Sequence, residues 1–456
     1  MNRSVTIAAQ VVITSALGYY LYKAISARRQ LNAKSAQSAV TAPLTPEQIA
    51  LIKATVPVLE QHGVTITTVF YRNMLAAHPE LNDVFNAANQ ANGHQQRALA
   101  GALLAYASHI DNLAVLGPAV ELICNKHASL YIQPRDYEIV GKYLLEAMGE
   151  VLGDALTDDL RNAWATAYWA LANLMIDREA ALYRAAHGWT DWRDFVVARK
   201  EPESDEITSF YLRPADNQPL PPFSPGQYIS VRVNVPDLNT LQPRQYSLSD
   251  QPQPDYYRIS VKRESGRQPQ NPGYVSNVLH DRIQAGDTVQ VSHPFGDFFL
   301  AAQDSTTPAT SKPTTTTTPV VLISAGVGLT PLMSMLNSTI STTRPIHFIH
   351  GSRSSSARAF HAHLQAQAAA APHLKVTLFT SQPAALDKQG TDYHFAGRVD
   401  LDKLDADKDL FLNDPRAEYY ICGPEGFMTD VAAALAKRQV GAERIKMELF
   451  GTGGVN

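Results

Sequence analysis

One histidine, His127, stands in a stretch of the sequence that could hold a metal ion. It belongs to CNKHASLYIQPRDYEIVG, from Cys124 to Gly141, where the pattern predicts that His127 lies on the last turn of a helix. A histidine on a helix is a common axial ligand of heme iron. The chain has 14 histidines, however, and one beside apolar residues is more often an ordinary core or surface residue. Both interpretations stand at this point.

A heme pocket needs apolar walls and a group that faces a bound gas. Four residues that come earlier in the sequence than His127 could supply them. TVFYRNM places Tyr71 within an otherwise apolar helical face, and DVFN supplies Phe85, a ring able to lie against a porphyrin. Gln95 and Leu99 are four residues apart and therefore share one helix face. Each of these residues by itself is also consistent with ordinary core packing.

A second group of motifs could bind a flavin nucleotide. In PRQYSLSD, Arg244 could contact a phosphate, Tyr246 could stack on an aromatic ring, and Ser247 could donate a hydrogen bond. About thirty residues later, NPGYVSNVLHD is a glycine turn that enters a helix. Its backbone amides could contact the same diphosphate, and they belong to Gly273, Tyr274, Val275 and Ser276.

A third group of motifs could bind a nicotinamide nucleotide. ISAGVGLTP places Gly326 and Gly328 between a strand and a helix, although Pro331 stands where the full dinucleotide pattern has a third glycine. YYICGPEGFM adds a Cys-Gly-Pro turn after a strand, and MELFG a terminal strand. In HGSRSSSARAF, Arg353 and its neighbouring serines could bind a 2′-phosphate, which favours NADPH over NADH.

The elements that must position these residues fall into three segments. From Thr45 to about Tyr183 every strong signal is helical: Thr45 caps a helix that is predicted to end at Gly63, and Thr157 caps a long helix. The long helix carries a predicted buried stripe of apolar residues, namely Leu160, Trp164, Tyr168, Leu171, Leu174, Met175 and Leu182. After Gly188, short alternating strands predict a small antiparallel β-barrel. From PVVLISAG onward, strands and helices alternate, which predicts a doubly wound α/β domain.

The length and composition of the chain are those of a protein with several globular domains. A chain of 456 residues with 45% hydrophobic and 18% charged residues can build about three domains. The net charge of −4 gives no general attraction to nucleic acid. Two cysteines about three hundred residues apart indicate neither a disulfide framework nor a cysteine metal site.

The N-terminal residues differ in composition from the rest of the chain. They contain five basic residues and no acidic one before Glu47, the composition of a mitochondrial targeting segment. Ser4 to Tyr22 is uncharged and would allow a membrane anchor with weak membrane association instead, and an unstructured leader in a cytoplasmic protein is the third alternative.

The predicted divisions of the chain are a leader at 1–43, a helical domain at 44–186, a barrel at 187–302, a Thr-rich insertion at 303–318 and a nucleotide domain at 319–456.

The order R-x-Y-S, G-x-V-S, A-G-x-G-x-T-P and C-G-P resembles the ferredoxin-reductase-like flavoprotein family from about Trp189 to Asn456. This resemblance implies a barrel that binds FAD, followed by a domain that binds NADPH or NADH. The implied FAD contacts are Tyr228, Arg244, Gln245, Tyr246, Ser247, Gly273, Tyr274, Val275 and Ser276. The other implied cofactor contacts are Gly326, Val327, Gly328, Leu329, Thr330, Arg353, Cys422, Gly423, Pro424, Glu448, Phe450 and Gly451.

The upstream residues Tyr71, Phe85, Gln95 and Leu99, followed by NKHAS, resemble those of the bacterial and fungal flavohemoglobins. The similarity runs from about Leu44 to the C-terminus, and the N-terminal extension suggests the fungal type. It implies that the helical segment is a globin domain with heme b and that His127 is the iron ligand. It further implies that Tyr71 is the hydrogen-bond donor, that Phe85, Gln95 and Leu99 line the pocket, and that Lys126, Tyr137 and Glu179 surround the ligand.

The resemblance implies that the protein is a nitric oxide dioxygenase. NAD(P)H would reduce FAD, FAD would reduce heme, and the oxygenated heme would convert NO to nitrate, so that O2 and NO are the substrates and no protein partner is required. Two alternatives remain open on the residues alone. One is a heme-flavin reductase of O2, ferric chelates or quinones, and the other is an O2 or NO sensor or store.

Overall fold

The computed structural model describes residues 43–186, 188–266, 273–301 and 318–450. These residues form two compact units. One contains the described residues up to Asp191 together with Asn234–Pro243, and the other contains Trp192–Val233 and the described residues from Arg244 onward. In the part of the chain that is described, no helix combines the length and apolar character that crossing a membrane requires.

The first unit is helical, as predicted. Its helices are α1 (Pro46–Ala54), α2 (Val56–Ala77), α3 (Ala87–Ala91), α4 (His94–Ser108), α5 (Gly117–Ser129), α6 (Pro134–Leu152) and α7 (Asp158–Ala185). Thr45 forms the predicted capping box with Gln48, and the Thr157 side chain accepts a hydrogen bond from the Leu160 amide. One apolar core lies between these helices, and a smaller cluster around Cys124 and Met175 lies beneath α5 and α7.

The predicted end of the first helix at Gly63 is wrong. The helix breaks earlier, at Thr55, and Gly63 lies buried within α2. A Cβ at Gly63 would lie 3.4 Å from the Cβ of Ala100, and one turn later the Thr67 hydroxyl donates to the Gln96 carbonyl oxygen at 2.9 Å. The glycine therefore allows α2 and α4 to cross closely, and it does not end a helix.

The predicted stripe along α7 faces the apolar clusters except at one residue, although four of its members, Leu160, Tyr168, Leu171 and Leu182, are only partly buried. Trp164 and Met175 are buried, whereas Leu174 is 54% exposed. Neighbouring residues on a helix point about 100° apart. A stripe that buries Met175 therefore turns Leu174 toward solvent.

The second unit begins with an antiparallel sheet in the order β4-β3-β6-β1-β2-β5. The strands are β1 (Arg193–Pro202), β2 (Ile207–Pro214), β3 (Tyr228–Val235), β4 (Thr240–Ser247), β5 (Tyr257–Lys262) and β6 (Thr288–Val291), with helix α8 (Tyr274–Asp281) between the last two. A bridge from Leu248, just after β4, to Ile259 of β5 joins the two edge strands. The sheet therefore closes into the predicted barrel.

A parallel sheet in the order β10-β9-β8-β7-β11-β12 completes the second unit. Its strands are β7 (Val320–Ala325), β8 (Ile346–Ser352), β9 (Leu374–Thr380), β10 (Phe395–Ala396), β11 (Glu418–Cys422) and β12 (Ile445–Glu448). Helices α9 (Leu329–Thr339), α10 (His361–Ala370) and α11 (Glu425–Lys437) connect them, and separate apolar cores lie on the two faces of the sheet. This is the predicted doubly wound arrangement.

Candidate functional site

His127 lies on the last turn of α5 and makes its hydrogen bonds through one ring nitrogen. Its Nδ1 is 2.9 Å from Oε1 of Glu179 and 3.0 Å from the hydroxyl of Tyr137. One third of the His127 side chain is accessible, whereas the Glu179 side chain is 3% exposed. Because the contacts of His127 with described residues use Nδ1, Nε2 remains available as a metal ligand. We call His127, Tyr137 and Glu179 the proximal cluster.

The proximal cluster is held by three helices. Tyr137 of α6 donates to Oε1 of Glu179, on α7, at 2.5 Å, so one buried carboxylate oxygen contacts both neighbours. Burial, reinforced by the charge of Glu179, raises the pKa of Tyr137, so its hydroxyl remains a proton donor. A carboxylate that accepts from an imidazole N–H makes the other ring nitrogen a stronger metal ligand.

Tyr168 contacts the proximal cluster through Tyr137, a contact that was not predicted from the sequence. Its hydroxyl donates to the carbonyl oxygen of Tyr137 at 2.5 Å. A Cβ at Gly141 would lie 2.5 Å from the Tyr168 ring, so the ring can take this position only because residue 141 is glycine. The thiol of Cys124 is buried, and burial raises its pKa to about 12, which keeps it protonated.

Tyr71, Phe85, Gln95 and Leu99, which we call the distal cluster, come together in the same helical unit. The Tyr71 ring is buried and makes edge contacts with Phe70 and Phe85, at centroid distances of 4.7 and 5.5 Å. Its hydroxyl accepts a hydrogen bond from Nε2 of Gln95 at 3.3 Å. Burial raises the pKa of Tyr71 to about 12, so the hydroxyl proton remains available for donation.

Leu99 of the distal cluster and Lys126, beside His127, are the remaining predicted residues of the helical unit. Leu99 is half-buried and packs against the helical core. Lys126 is on the last turn of α5, where a positive charge complements the helix dipole, and its carbonyl oxygen accepts from the Ser129 hydroxyl at 2.8 Å. That Lys126 belongs to the surroundings of a bound heme remains a prediction.

The predicted flavin residues gather at the end of β4. Desolvation lowers the pKa of Arg244 to about 10, which leaves the guanidinium charged at neutral pH, and burial raises the pKa of Tyr246. Ser247 is buried and Gln245 is exposed. Tyr228 is buried at the start of β3, and a Cβ at Gly296 would lie 3.0 Å from its ring. A charged Arg beside a Tyr ring suits a flavin with its phosphate.

The second flavin motif forms the start of α8. Gly273 precedes the helix, and a Cβ there would lie 2.6 Å from both the Glu264 Cβ and the Ser276 Oγ. The Ser276 hydroxyl donates to the Gly273 carbonyl oxygen at 2.8 Å. The first turn of a helix is a common binding place for an anion such as a diphosphate, and the predicted contacts Tyr274, Val275 and Ser276 lie on that turn.

The nicotinamide-nucleotide motifs meet at the switch point of the parallel sheet. The chain moves from β7 outward to β8, β9 and β10, and then returns to β11 on the other side of β7. Ligands of open α/β sheets bind beyond the carboxyl ends of strands at such a point. The carboxyl ends of β7 and β11 carry Gly326–Thr330, which includes Val327, Gly328 and Leu329, and Cys422–Pro424, which includes Gly423.

Two glycines shape this switch point. Gly326 has a positive φ of 55° with open space where a side chain would be. A Cβ at Gly328 would lie 2.3 Å from the Cys422 carbonyl oxygen and 2.6 Å from the Gly423 amide nitrogen, so the two turns touch through their backbones. The Thr330 hydroxyl donates to the Val327 carbonyl oxygen at 3.1 Å. The backbone of these turns has no side chain at Gly326 to block it and lies at the beginning of helix α9, an arrangement that suits the binding of a dinucleotide.

The C-terminal residues lie beside the same turns. Glu448 is buried and pairs in register with Cys422, whose thiol has a pKa raised by burial and by that carboxylate. Phe450, just after β12, is an exposed aromatic ring. Gly451, the last predicted cofactor residue, lies outside the described residues.

Arg353 has a partner that the sequence did not reveal. It follows β8, and its guanidinium forms an ion pair with Glu206, which precedes β2. A backbone hydrogen bond from Asp205 to the Ser356 carbonyl oxygen, at 3.0 Å, joins the same two loops. Arg353 is 64% exposed on its side chain, so a nucleotide phosphate could still reach it.

Three protein families match successive parts of the chain. The globin family matches residues 68–175, the oxidoreductase FAD-binding domain residues 194–300 and the oxidoreductase NAD-binding domain residues 322–433. Whole-length relatives are similar as well. A flavohemoprotein of Bordetella parapertussis is 50% identical over 90% of this chain and 100% of its own length, and one of Rhizobium meliloti is 46% identical over 90% and 98%.

A solved structure is similar over the same span. It is the crystal structure of flavohemoglobin from Malassezia yamatoensis with bound FAD and heme. The TM-score is 0.76 at 30% sequence identity, and the match covers 90% of this chain and 100% of that one.

Proposed function

This chain belongs to the flavohemoprotein family, and we propose that it is a nitric oxide dioxygenase, which converts NO and O2 to nitrate with electrons from NADPH or NADH. One observation carries the proposal. His127 has Nε2 available for a metal while its Nδ1 contacts a buried carboxylate, and the buried, protonated Tyr71 lies in the same helical unit. A histidine ligand backed by a carboxylate, together with a neutral phenol donor, suits chemistry on O2.

The residues fit the three groups that the reaction needs. His127 would bind heme iron, Arg244 and Tyr246 would hold FAD, and the turns at Gly326 and Cys422 would hold the nicotinamide nucleotide. When bound, FAD accepts hydride and releases electrons singly, and heme supplies the iron at which O2 reacts. The protein contributes the ligand, the hydrogen-bond donors and the apolar walls.

Each turnover of NO and O2 to nitrate takes up one electron. A hydride from one NAD(P)H carries two electrons and therefore serves two turnovers, with one proton released. Tyr71 would donate its hydroxyl proton in a hydrogen bond to the oxygen substrate, because its raised pKa keeps it neutral. Glu179 and Tyr137 would fix the imidazole ring of His127.

Labelled oxygen tests the proposal directly. The full chain, loaded with heme and FAD, is mixed with NADH or NADPH, NO and ¹⁸O2, and the nitrate is analysed by mass spectrometry. We expect nitrate that carries both atoms of the labelled O2, with two NO consumed per nucleotide. NADPH oxidation unchanged by NO, with ferric chelates or quinones reduced instead, would favour the reductase. Tight binding of O2 or NO without turnover would favour the sensor.

The location of the protein is a separate proposal that rests on composition alone. Residues 1–42 lie outside the described residues. The basic, acid-free composition of this part of the sequence supports a mitochondrial targeting segment in a fungal-type extension. Weak membrane association through the uncharged run Ser4 to Tyr22 is the alternative that fractionation would distinguish.

A further inference from the structure

A short piece of the β-barrel sequence belongs to the helical unit. Asn234–Pro243, the turn between β3 and β4 with the adjoining strand ends, groups with the helices and not with the remainder of its strands. Within this piece, Gln242 has no exposed surface. A buried amide side chain needs hydrogen-bond partners, so the identity of its partners indicates what it does.

The Gln242 side chain contacts the helical unit at two places. Its Nε2 donates to the Asn82 carbonyl oxygen at 2.8 Å, and its Oε1 accepts from the Ala87 amide at 3.1 Å. Next to it, the Leu241 amide donates to Oδ1 of Asp83 at 2.9 Å. One glutamine therefore satisfies a backbone acceptor and a backbone donor at the two ends of the segment Asn82–Ala87.

Phe85 lies in the middle of that segment. Its ring makes the edge contact with Tyr71 at 5.5 Å, and both residues belong to the distal cluster. The segment runs from a short 3₁₀ helix, Pro79–Asp83, to the short helix α3, and the Phe85 amide donates to the Leu81 carbonyl oxygen at 3.0 Å. The hydrogen bonds of Gln242 add an attachment on each side of Phe85 that this local structure does not supply.

We propose that Gln242 is a positioning residue of the heme pocket, which fixes the segment Asn82–Ala87 and thereby holds the Phe85 ring against Tyr71. This inference rests on the proposed function only in requiring that heme occupies the pocket. Gln242 touches no reacting atom and acts through Phe85. It follows that residues before position 187 do not by themselves fix the distal cluster.

The test uses the heme- and FAD-loaded full chain and measures two rates, O2 dissociation from the reduced protein and heme transfer to apomyoglobin. Gln242→Ala should raise at least one of them about five- to thirtyfold, the change that the loss of one or two net hydrogen bonds brings. Asn234→Ala is the matched control, because it removes an exposed amide from the end of β3 in the same piece, Asn234–Pro243. Flavin reduction by NADPH should be unchanged in both variants.

A double-mutant cycle separates positioning from general destabilisation. If Gln242 acts through Phe85, the effects of Gln242→Ala and Phe85→Leu on O2 dissociation should be clearly less than additive. Additive effects, or a Gln242→Ala variant that matches the wild type, would overturn the proposal. Asp83→Ala, which weakens the same attachment from the helical side, gives the second variant if Gln242→Ala does not fold; unchanged rates there would also overturn it. A wild-type chain that does not bind heme would refute the proposed function instead.

Discussion

The Tyr71 hydroxyl gives the most direct prediction about the heme pocket. Tyr71→Phe keeps the buried ring and its edge contacts with Phe70 and Phe85, so packing changes little. The change removes one hydroxyl, whose observed partner is Gln95 at 3.3 Å. The substitution therefore removes two hydrogen bonds, the one that Tyr71 accepts from Gln95 and the one proposed to the oxygen substrate, and a Gln95 variant must control for the first.

The magnitude follows from the kind of acceptor. A hydrogen bond contributes about 1 kcal/mol to a neutral acceptor and about 1.5–3 kcal/mol to a charged one. The oxygen substrate would carry partial negative charge at the heme, so the O2 dissociation rate should rise roughly five- to 150-fold. NO consumption should fall steeply at low oxygen, while flavin reduction by NADPH should not change.

The pH dependence has a defined sign. The usual tyrosine pKa is about 10, and burial raises that of Tyr71 to about 12. The hydroxyl remains protonated below that value, so in the wild type O2 dissociation should be flat from about pH 6 to about pH 10. Only as the pH approaches 12 would loss of the proton remove the donor and speed dissociation.

Stopped-flow mixing of the oxygenated protein with an O2 scavenger measures the dissociation rate. Gln95→Leu serves as the comparison, because the Gln95 amide donates to the Tyr71 oxygen and leaves the phenol proton free for the substrate. It should raise the rate by less than Tyr71→Phe does. If Tyr71→Phe released O2 and consumed NO at low oxygen as the wild type does, Tyr71 would not be the donor, and the reductase alternative would be preferred.

Three further predictions concern the nucleotide, the metal ligand and the leader. Arg353→Ala should raise KM for NADPH about ten- to a hundredfold and leave KM for NADH nearly unchanged. Glu206→Gln should lower KM for NADPH, because it frees Arg353 and removes a carboxylate near the phosphate. Equal effects on KM for both nucleotides would contradict the role of Arg353 at the 2′-phosphate. His127→Ala should lose heme and retain FAD, and a normal five-coordinate ferrous spectrum would show that it is not the ligand. Deletion of Met1–Ala42 should leave a fully active enzyme that no longer reaches mitochondria; finding the intact protein in the cytosol, or releasing it only with detergent, would refute the targeting assignment.

The features that the sequence predicted correctly depend on neighbours close in the chain. The capping box at Thr45 and the cap at Thr157 follow from residues three positions apart. The apolar run at Val320–Ala325 predicted a buried parallel strand because both of its faces must be covered, and the structure shows β7 between β8 and β11. Such signals are complete within a few residues.

Gly63 shows why a local signal can mislead. Glycine ends many helices, and the pattern before position 63 is that of a helix. The decisive neighbour is Ala100, 37 positions later, against which the glycine allows two helices to cross. A residue that serves tertiary packing carries the same letter as one that ends a helix, so only the structure separates the two.

Long-range polar contacts were outside the reach of sequence patterns altogether. Gln242 meets Ala87 and Asn82 across 155 and 160 positions, and Arg353 meets Glu206 across 147. No spacing rule connects such residues. Tyr137 and Glu179 could be assigned to His127 only through a family resemblance, because they lie 10 and 52 positions away on different helices.

Strand β4 illustrates how two functions can depend on one short element. Gln242, near its start, hydrogen-bonds the segment that carries Phe85, whereas Arg244 and Tyr246, later in the same strand, are the proposed flavin contacts. Only Pro243 separates Gln242 from Arg244, and its ring restricts the backbone at that step. A substitution that shifts the backbone of β4 would therefore affect both proposed sites, whereas one confined to the Gln242 amide should affect the heme pocket alone. Comparison of the two kinds of variant tests whether these tasks are separable.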